Sequence, residues 1–154
     1  MKCCLASAWL LCLTGLSVLA QPTVAHQWSE QVLEAIRNDF ARPTVHARNL
    51  YHSSILMYDC WTAYDTTQSS SVFLGKNYDG FFCPFNEEAL DVPADLVLRQ
   101  EAQGVAMSYA MYRLIEHRYA ESPQAESTMA NIFSLMIFLE LDPNYVSMDY
   151  ANGG

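Results

Sequence analysis

From Gln27 to about Phe40, the residues Trp28, Val32, Ala35, Ile36 and Phe40 recur in steps of three and four, while Glu30, Glu34, Arg37 and Asn38 fill the positions between. That spacing predicts an amphipathic helix with one apolar face. Arg42-Pro43 ends it, and Pro43 suits the first residue of a second helix, where its missing N–H would be unpaired anyway. The second helix is expected to reach about Tyr64. Its core stripe reads as Ala47, Leu50, Tyr51, Ser54, Met57, Tyr58 and Trp61, with the small Ala47 and Ser54 letting a neighbour approach. A second stripe on the same helix carries Arg48, His52, Ile55, Asp59 and Thr62, so an Arg, a His and an Asp share one face. They read either as a charged cluster supporting an active site or as polar groups satisfied by partners elsewhere in the fold.

Between Asp65 and Val92 the helical period disappears. Thr66 to Ser71 is a polar loop, and the runs Val72-Phe73-Leu74 and Phe81-Phe82-Cys83 flank Gly75 and Asp79-Gly80, which predicts a small β-hairpin or a tight irregular loop. Such an insertion is usually functional or packs on something else. Helix returns at Asp91-Val92-Pro93 and is expected to reach Tyr119, burying Leu98, Ala102, Val105, Ala106, Tyr109, Tyr112 and Leu114 or Ile115. Ser122-Pro123 reads as the cap and first residue of a fourth helix ending near Leu141, with the stripe Met129, Ile132, Phe133, Met136 and Leu139. Its run from Ile132 to Leu139 is apolar almost all round, as in a helix wrapped on most sides. The expected fold class is mainly α: a partial bundle of about four helices with a long irregular or hairpin-containing insertion.

The start of the chain changes the count of what folds. Lys2, the apolar run from Leu5 to Ala20 and the small residues after it read as a secretory signal over residues 1–25, cut after Ala20 or after Ala25. The run falls short of the ~20 residues needed to span a bilayer, and Leu11-Cys12 does not supply a lipoprotein site. A secreted or periplasmic chain of residues 26–154 follows. Cys3, Cys4 and Cys12 leave with the signal, so Cys60 and Cys83 remain, either bonded in an oxidising space or buried as free thiols. The formal charge of −9 becomes one unit more negative and argues against nucleic-acid partners and anionic membranes.

Chemistry is sparse. No HExxH, GxSxG, Walker loop or GxGxxG occurs, and after the leader no CxxC. His26, His46, His52 and His117 are too scattered for a metal triad. Asp142, Asn144 and Asp149 hint at a calcium loop but lack the glycine and terminal Glu of an EF-hand. No catalytic, cofactor-binding or metal residue is expected in this chain.

The run WSEQVLEAIRNDFARPTVHARNLYHSSILMYDCWTAYD, from Trp28 to Asp65, resembles the N-terminal region of secreted vanadium-dependent haloperoxidase-related proteins, in the superfamily that includes PAP2-type acid phosphatases. FLGKNYDGFFCPF, EAQGVAMSYAMYRLIEHRY and LDPNYVSMDYANG are similar to later stretches of the same group, so the resemblance covers nearly all of the chain after the leader. It implies a parent that oxidises halide with peroxide at vanadate, held by a K-x6-R-P element, a Ser-Gly-His element and an S-R-x3-G-x-H element. Here Arg42-Pro43 has Ala35 where the Lys would stand, and the other two elements do not occur. Cys60 stands where the group usually has Ala, so the resemblance lends no support to a Cys60–Cys83 bond.

The resemblance therefore implies the N-terminal part of a haloperoxidase-like protein, with a C-terminal catalytic half as missing partner and vanadate bound only in the full-length parent. Arg48, His52, Asp59 and the fourth helix would then be docking surfaces, and a homo-oligomer is a further arrangement the chain permits. The alternatives are a secreted helical binding protein without catalysis and a phosphatase-like relative.

Overall fold

The computed structural model describes residues 22–67 and 69–146. The expected signal peptide, as far as residue 21, and Asp149 lie outside them. Among the described residues are four helices: α1 (Val24–Arg37), α2 (Pro43–Ala63), α3 (Leu96–Tyr119) and α4 (Ala125–Phe138). Between α2 and α3 run a two-stranded hairpin, β1 (Asn77–Tyr78) and β2 (Phe81–Phe82), and a short 3-10 turn at Glu87–Ala89. The fold is mainly helical, as expected. No described helix is long and apolar enough to cross a membrane.

Helix α1 starts earlier than its apolar period because Thr23 caps it, its Oγ1 accepting the His26 amide at 3.2 Å. It stops at Arg37, so Phe40 lies outside the helix, exposed, with the Arg42 guanidinium 5.5 Å from its ring. Trp28, Val32 and Ala35 are buried as the spacing predicts. Trp28 is fully enclosed and its indole N–H donates to Ser108 Oγ at 2.9 Å; Ser108 in turn donates to the Gly104 carbonyl. Gly104 faces Val24 of α1, and a Cβ there would stand in van der Waals contact with its methyl at 3.4 Å.

Helix α3 is central and packs on each of the other three. Asp95 rather than the Pro93 turn starts it, its carboxylate accepting the amides of Val97 and Leu98 at 2.8 and 3.1 Å. Its buried face is Gln103, Met107, Ser108, Met111, Ile115 and Tyr119, so Leu98 and Val105, expected inside, lie exposed. Met107, Met111, Ile115 and Tyr119 join α1's apolar face and Ile132, Leu135 and Met136 of α4 in one core.

In α4 the expected Ser122 cap is replaced by a turn in which Ser122 donates through both its amide and its hydroxyl to the Tyr119 carbonyl. The helix starts at Ala125 and closes at Phe138 with Glu140 in the left-handed region (φ 60°) and the Leu141 amide donating to the Met136 carbonyl at 2.9 Å. Phe133, Ile137 and Phe138 face solvent, the last 71% exposed, so this helix is wrapped on one side and not all round. Asp142 begins a side-chain turn, accepting the Asn144 amide at 2.9 Å.

Helix α2 is the main correction. Of the stripe expected in the core, Leu50, Tyr51, Tyr58 and Trp61 are exposed, Tyr51 by 59% and Trp61 by 40%, and Ala47 and Ser54 are exposed too. Only Met57 packs partly against the core. The buried side carries Asn49, Ser53, Ile55, Asp59 and Thr62. Most of the polar groups on this buried side find partners, Asn49 Oδ1 being the exception. Ser53 donates to the Asn49 carbonyl, Thr62 to the Asp59 carbonyl and Asn49 Nδ2 to the Tyr119 hydroxyl, while Gln103 Nε2 of α3 donates to the Trp61 carbonyl.

Candidate functional site

The insertion after α2 is tied down by one side chain. Asp59, 5% exposed, accepts the backbone amides of Val72 at 2.5 Å, Phe73 at 2.8 Å and Leu74 at 3.3 Å. A carboxylate holding three N–H groups fixes the start of the loop on the flank of α2. Further on, Asp79 (φ 49°) and Gly80 (φ 82°) both adopt the left-handed conformation that a tight two-residue hairpin turn requires, so the Asp-Gly signal gives the hairpin it predicts. The hairpin extends into loop backbone, with Gly75 donating to the Cys83 carbonyl at 2.9 Å and Cys83 donating to the Lys76 carbonyl at 3.0 Å.

With the loop anchored there, a groove of about 470 Å³ remains between α2, α3 and the insertion. Its walls are Ile55, Leu56 and Cys60 of α2, Phe73, Leu74 and Cys83 of the insertion, and Ala110 and Leu114 of α3; His52, Asp59 and Arg118 supply its polar groups. Arg118 Nη2 lies 3.1 Å from His52 Nδ1. Burial, then the charges of Arg118 and Arg48, hold the His52 imidazole below its ordinary value, so near neutral pH it is an acceptor for the guanidinium. An apolar cleft with a few convergent polar groups is the usual form of a small-molecule site.

The sequence stripe Arg48, His52, Asp59 is thus divided between two tasks. Asp59 is structural, His52 stands with Arg118 at the groove, and Arg48 stays exposed and acts on His52 only through its charge. Arg118 and Ala110 were not picked out by spacing. Arg118 sits in the last turn of α3, where a cation is favoured, and that is the one signal that points to it.

Cys60 and Cys83 line the same groove and are free thiols. Burial, with the Asp59 charge second, pushes the Cys60 thiol up to about 12, which leaves almost no thiolate near neutral pH.

His46 closes the α1–α2 turn, its Nε2 2.8 Å from the Phe40 carbonyl. Arg42 is clamped to Asp39 through both carboxylate oxygens at 2.9 Å. Ala35, where a vanadate-binding Lys would stand, is fully buried in the core. These residues do not fit vanadate: one position has no donor in a site closed to solvent, and the other's cation is already neutralised. Among the described residues no group of three His, Cys, Asp or Glu side chains is placed to hold a metal ion.

A second, more polar basin of about 680 Å³ lies under the insertion, bordered by Asp65, Thr66, Ser69, Lys76 and Glu87. Its groups serve the loop itself. Asp65 accepts from Ser69 and Thr67, bonds that draw its carboxyl down to about 2, and the Lys76 ammonium donates to Ser70 Oγ and the Ser71 carbonyl. Comparison of the chain with protein-family models, with curated proteins and with solved structures finds no match in any of the three.

Proposed function

We propose that this chain is the helical N-terminal part of a secreted haloperoxidase-like protein, a scaffold on which a separate catalytic half docks. The observation that carries the reading is the outward apolar face of α2. Leu50, Tyr51, Tyr58 and Trp61 form a stripe on the side of the helix away from α3, and Phe133, Ile137 and Phe138 form another on α4. Large apolar side chains grouped in this way mark a surface that another element covers.

On this reading the chain contributes no side chain to an oxyanion site. Vanadate would be held in the catalytic half by the Ser-Gly-His and S-R-x3-G-x-H elements of the resembled group, where it would activate peroxide toward halide. The residues of this chain would supply rigidity: the Trp28–Ser108 bond fixes α1 on α3, and the Arg42–Asp39 pair fixes the turn into α2.

The coding frame beyond Gly154 tests the proposal. A following helical segment with both elements, whose joined product brominates an acceptor in a vanadate- and peroxide-dependent way, is the expected result. A stop codon directly after Gly154, or a joined product that hydrolyses phosphate esters and leaves halide untouched, overturns it.

A further inference from the structure

The groove between α2, α3 and the insertion is independent of the haloperoxidase reading, because it lies on the inner side of α2, away from the outward stripe. Its walls are apolar along Ile55, Leu56, Phe73, Leu74, Ala110 and Leu114. Its charged lining groups are unequal. Asp59 spends both carboxylate oxygens on the amides of Val72, Phe73 and Leu74. Arg118 has the His52 ring nitrogen as its hydrogen-bond partner and no carboxylate within ion-pair distance among the described residues. Arg48 stands near enough to add its charge to that end. An apolar groove with a solvent-facing guanidinium at its edge and no carboxylate paired to it is complementary to a molecule with an aliphatic body and one anionic head. The surplus of acidic residues over the rest of the chain, −9 in all, disfavours polyanions and leaves a monoanion as the best match.

We infer that this groove binds an unbranched aliphatic carboxylate of medium chain length, its alkyl chain between Leu56, Phe73 and Leu114 and its carboxylate on Arg118. The forked guanidinium donates to both carboxylate oxygens, and His52, the uncharged acceptor beside it, holds the fork in place.

Titration calorimetry of the full chain with decanoate, below micelle-forming concentrations, tests this. Decanol and propionate serve as probes of the chain alone and the head alone. Decanoate is expected to bind at one molecule per chain, decanol about tenfold more weakly or worse, and propionate without measurable heat. Arg118→Gln should bring decanoate down to the level of decanol and leave decanol unchanged. Ala110→Phe, which fills the groove, should abolish both while the thermal transition persists. Amide chemical-shift mapping on the unaltered chain provides a readout that does not depend on a variant folding: decanoate should move Phe73, Leu74, Cys83, Ala110 and Leu114. Equal binding of decanoate and decanol, shifts confined to Leu50, Tyr51, Tyr58 and Trp61 on the outer face, or no binding at all would overturn the inference.

Discussion

Helices α1 and α2 follow one another across a short turn and show the same three-and-four spacing of apolar residues, yet they face opposite ways. In α1 the apolar stripe Trp28, Val32, Ala35 is the buried one. In α2 the apolar stripe lies outside and the stripe with Asn49, Ser53, Asp59 and Thr62 lies inside. The difference is in what each polar stripe can reach. The polar positions of α1 are long charged side chains, Glu30, Glu34 and Arg37, which gain nothing from burial; Glu34 and Arg37 pair with each other at the surface. Those of α2 include short side chains that bond their own helix's carbonyls and one carboxylate that three loop amides saturate. Periodicity thus shows that a helix has two faces, and α2 turns its polar face inward with most of its groups bonded, Asn49 Oδ1 excepted.

The contrast can be broken most sharply at its ends. Trp28→Ala should destabilise the chain by about 3–5 kcal/mol, removing a fully buried ring and leaving Ser108 without its donor, as read from the urea midpoint. Asp59→Ala should cost about 2–3 kcal/mol and free the amides of Val72, Phe73 and Leu74 to exchange with deuterium, while amides in α1 keep their protection. Trp61→Gln, on the outward stripe, should change stability by no more than about 0.5 kcal/mol. A cost like that of Trp28 would mean that α2 is turned the other way.

A smaller effect belongs to His52. Its proton affinity is lowered in the folded chain against the ordinary value of 6.5, so the unfolded chain binds the extra proton more readily. Its contribution to stability is therefore complete above pH 6.5 and declines as the pH falls below it. Urea midpoints between about pH 7.5 and about pH 5 should show a decline that His52→Gln reduces. The two cleavage points expected from the sequence differ in what they leave of α1. A cut after Ala25 would remove the Thr23 cap and Val24, which packs at Gly104, whereas a cut after Ala20 keeps α1 whole. The mass of an exported product should place its first residue at Gln21.

Much of this was legible in the sequence where the cause is local. The α1 stripe, the Asp79-Gly80 hairpin turn and the Ile132 and Met136 face of α4 each depend on residues a few positions apart. The orientation of α2 was not, because what settles it is distant: the hydroxyl of Tyr119 for Asn49, and backbone amides rather than side chains for Asp59. Backbone donors leave no trace in a pattern of residue types. The groove was half legible for the same reason. His52 and Asp59 stood out on their stripe, but Arg118 reaches His52 only once α3 lies along α2, and Cys60 and Cys83 line one groove only once the loop is anchored.

The central claim is the orientation of α2, and residue-resolved hydroxyl-radical footprinting of the chain tests it most directly. Tyr51, Tyr58 and Trp61 should be oxidised readily while Trp28, Met111 and Met136 stay protected. Protection of Tyr58 and Trp61 at the level of Trp28 would contradict it.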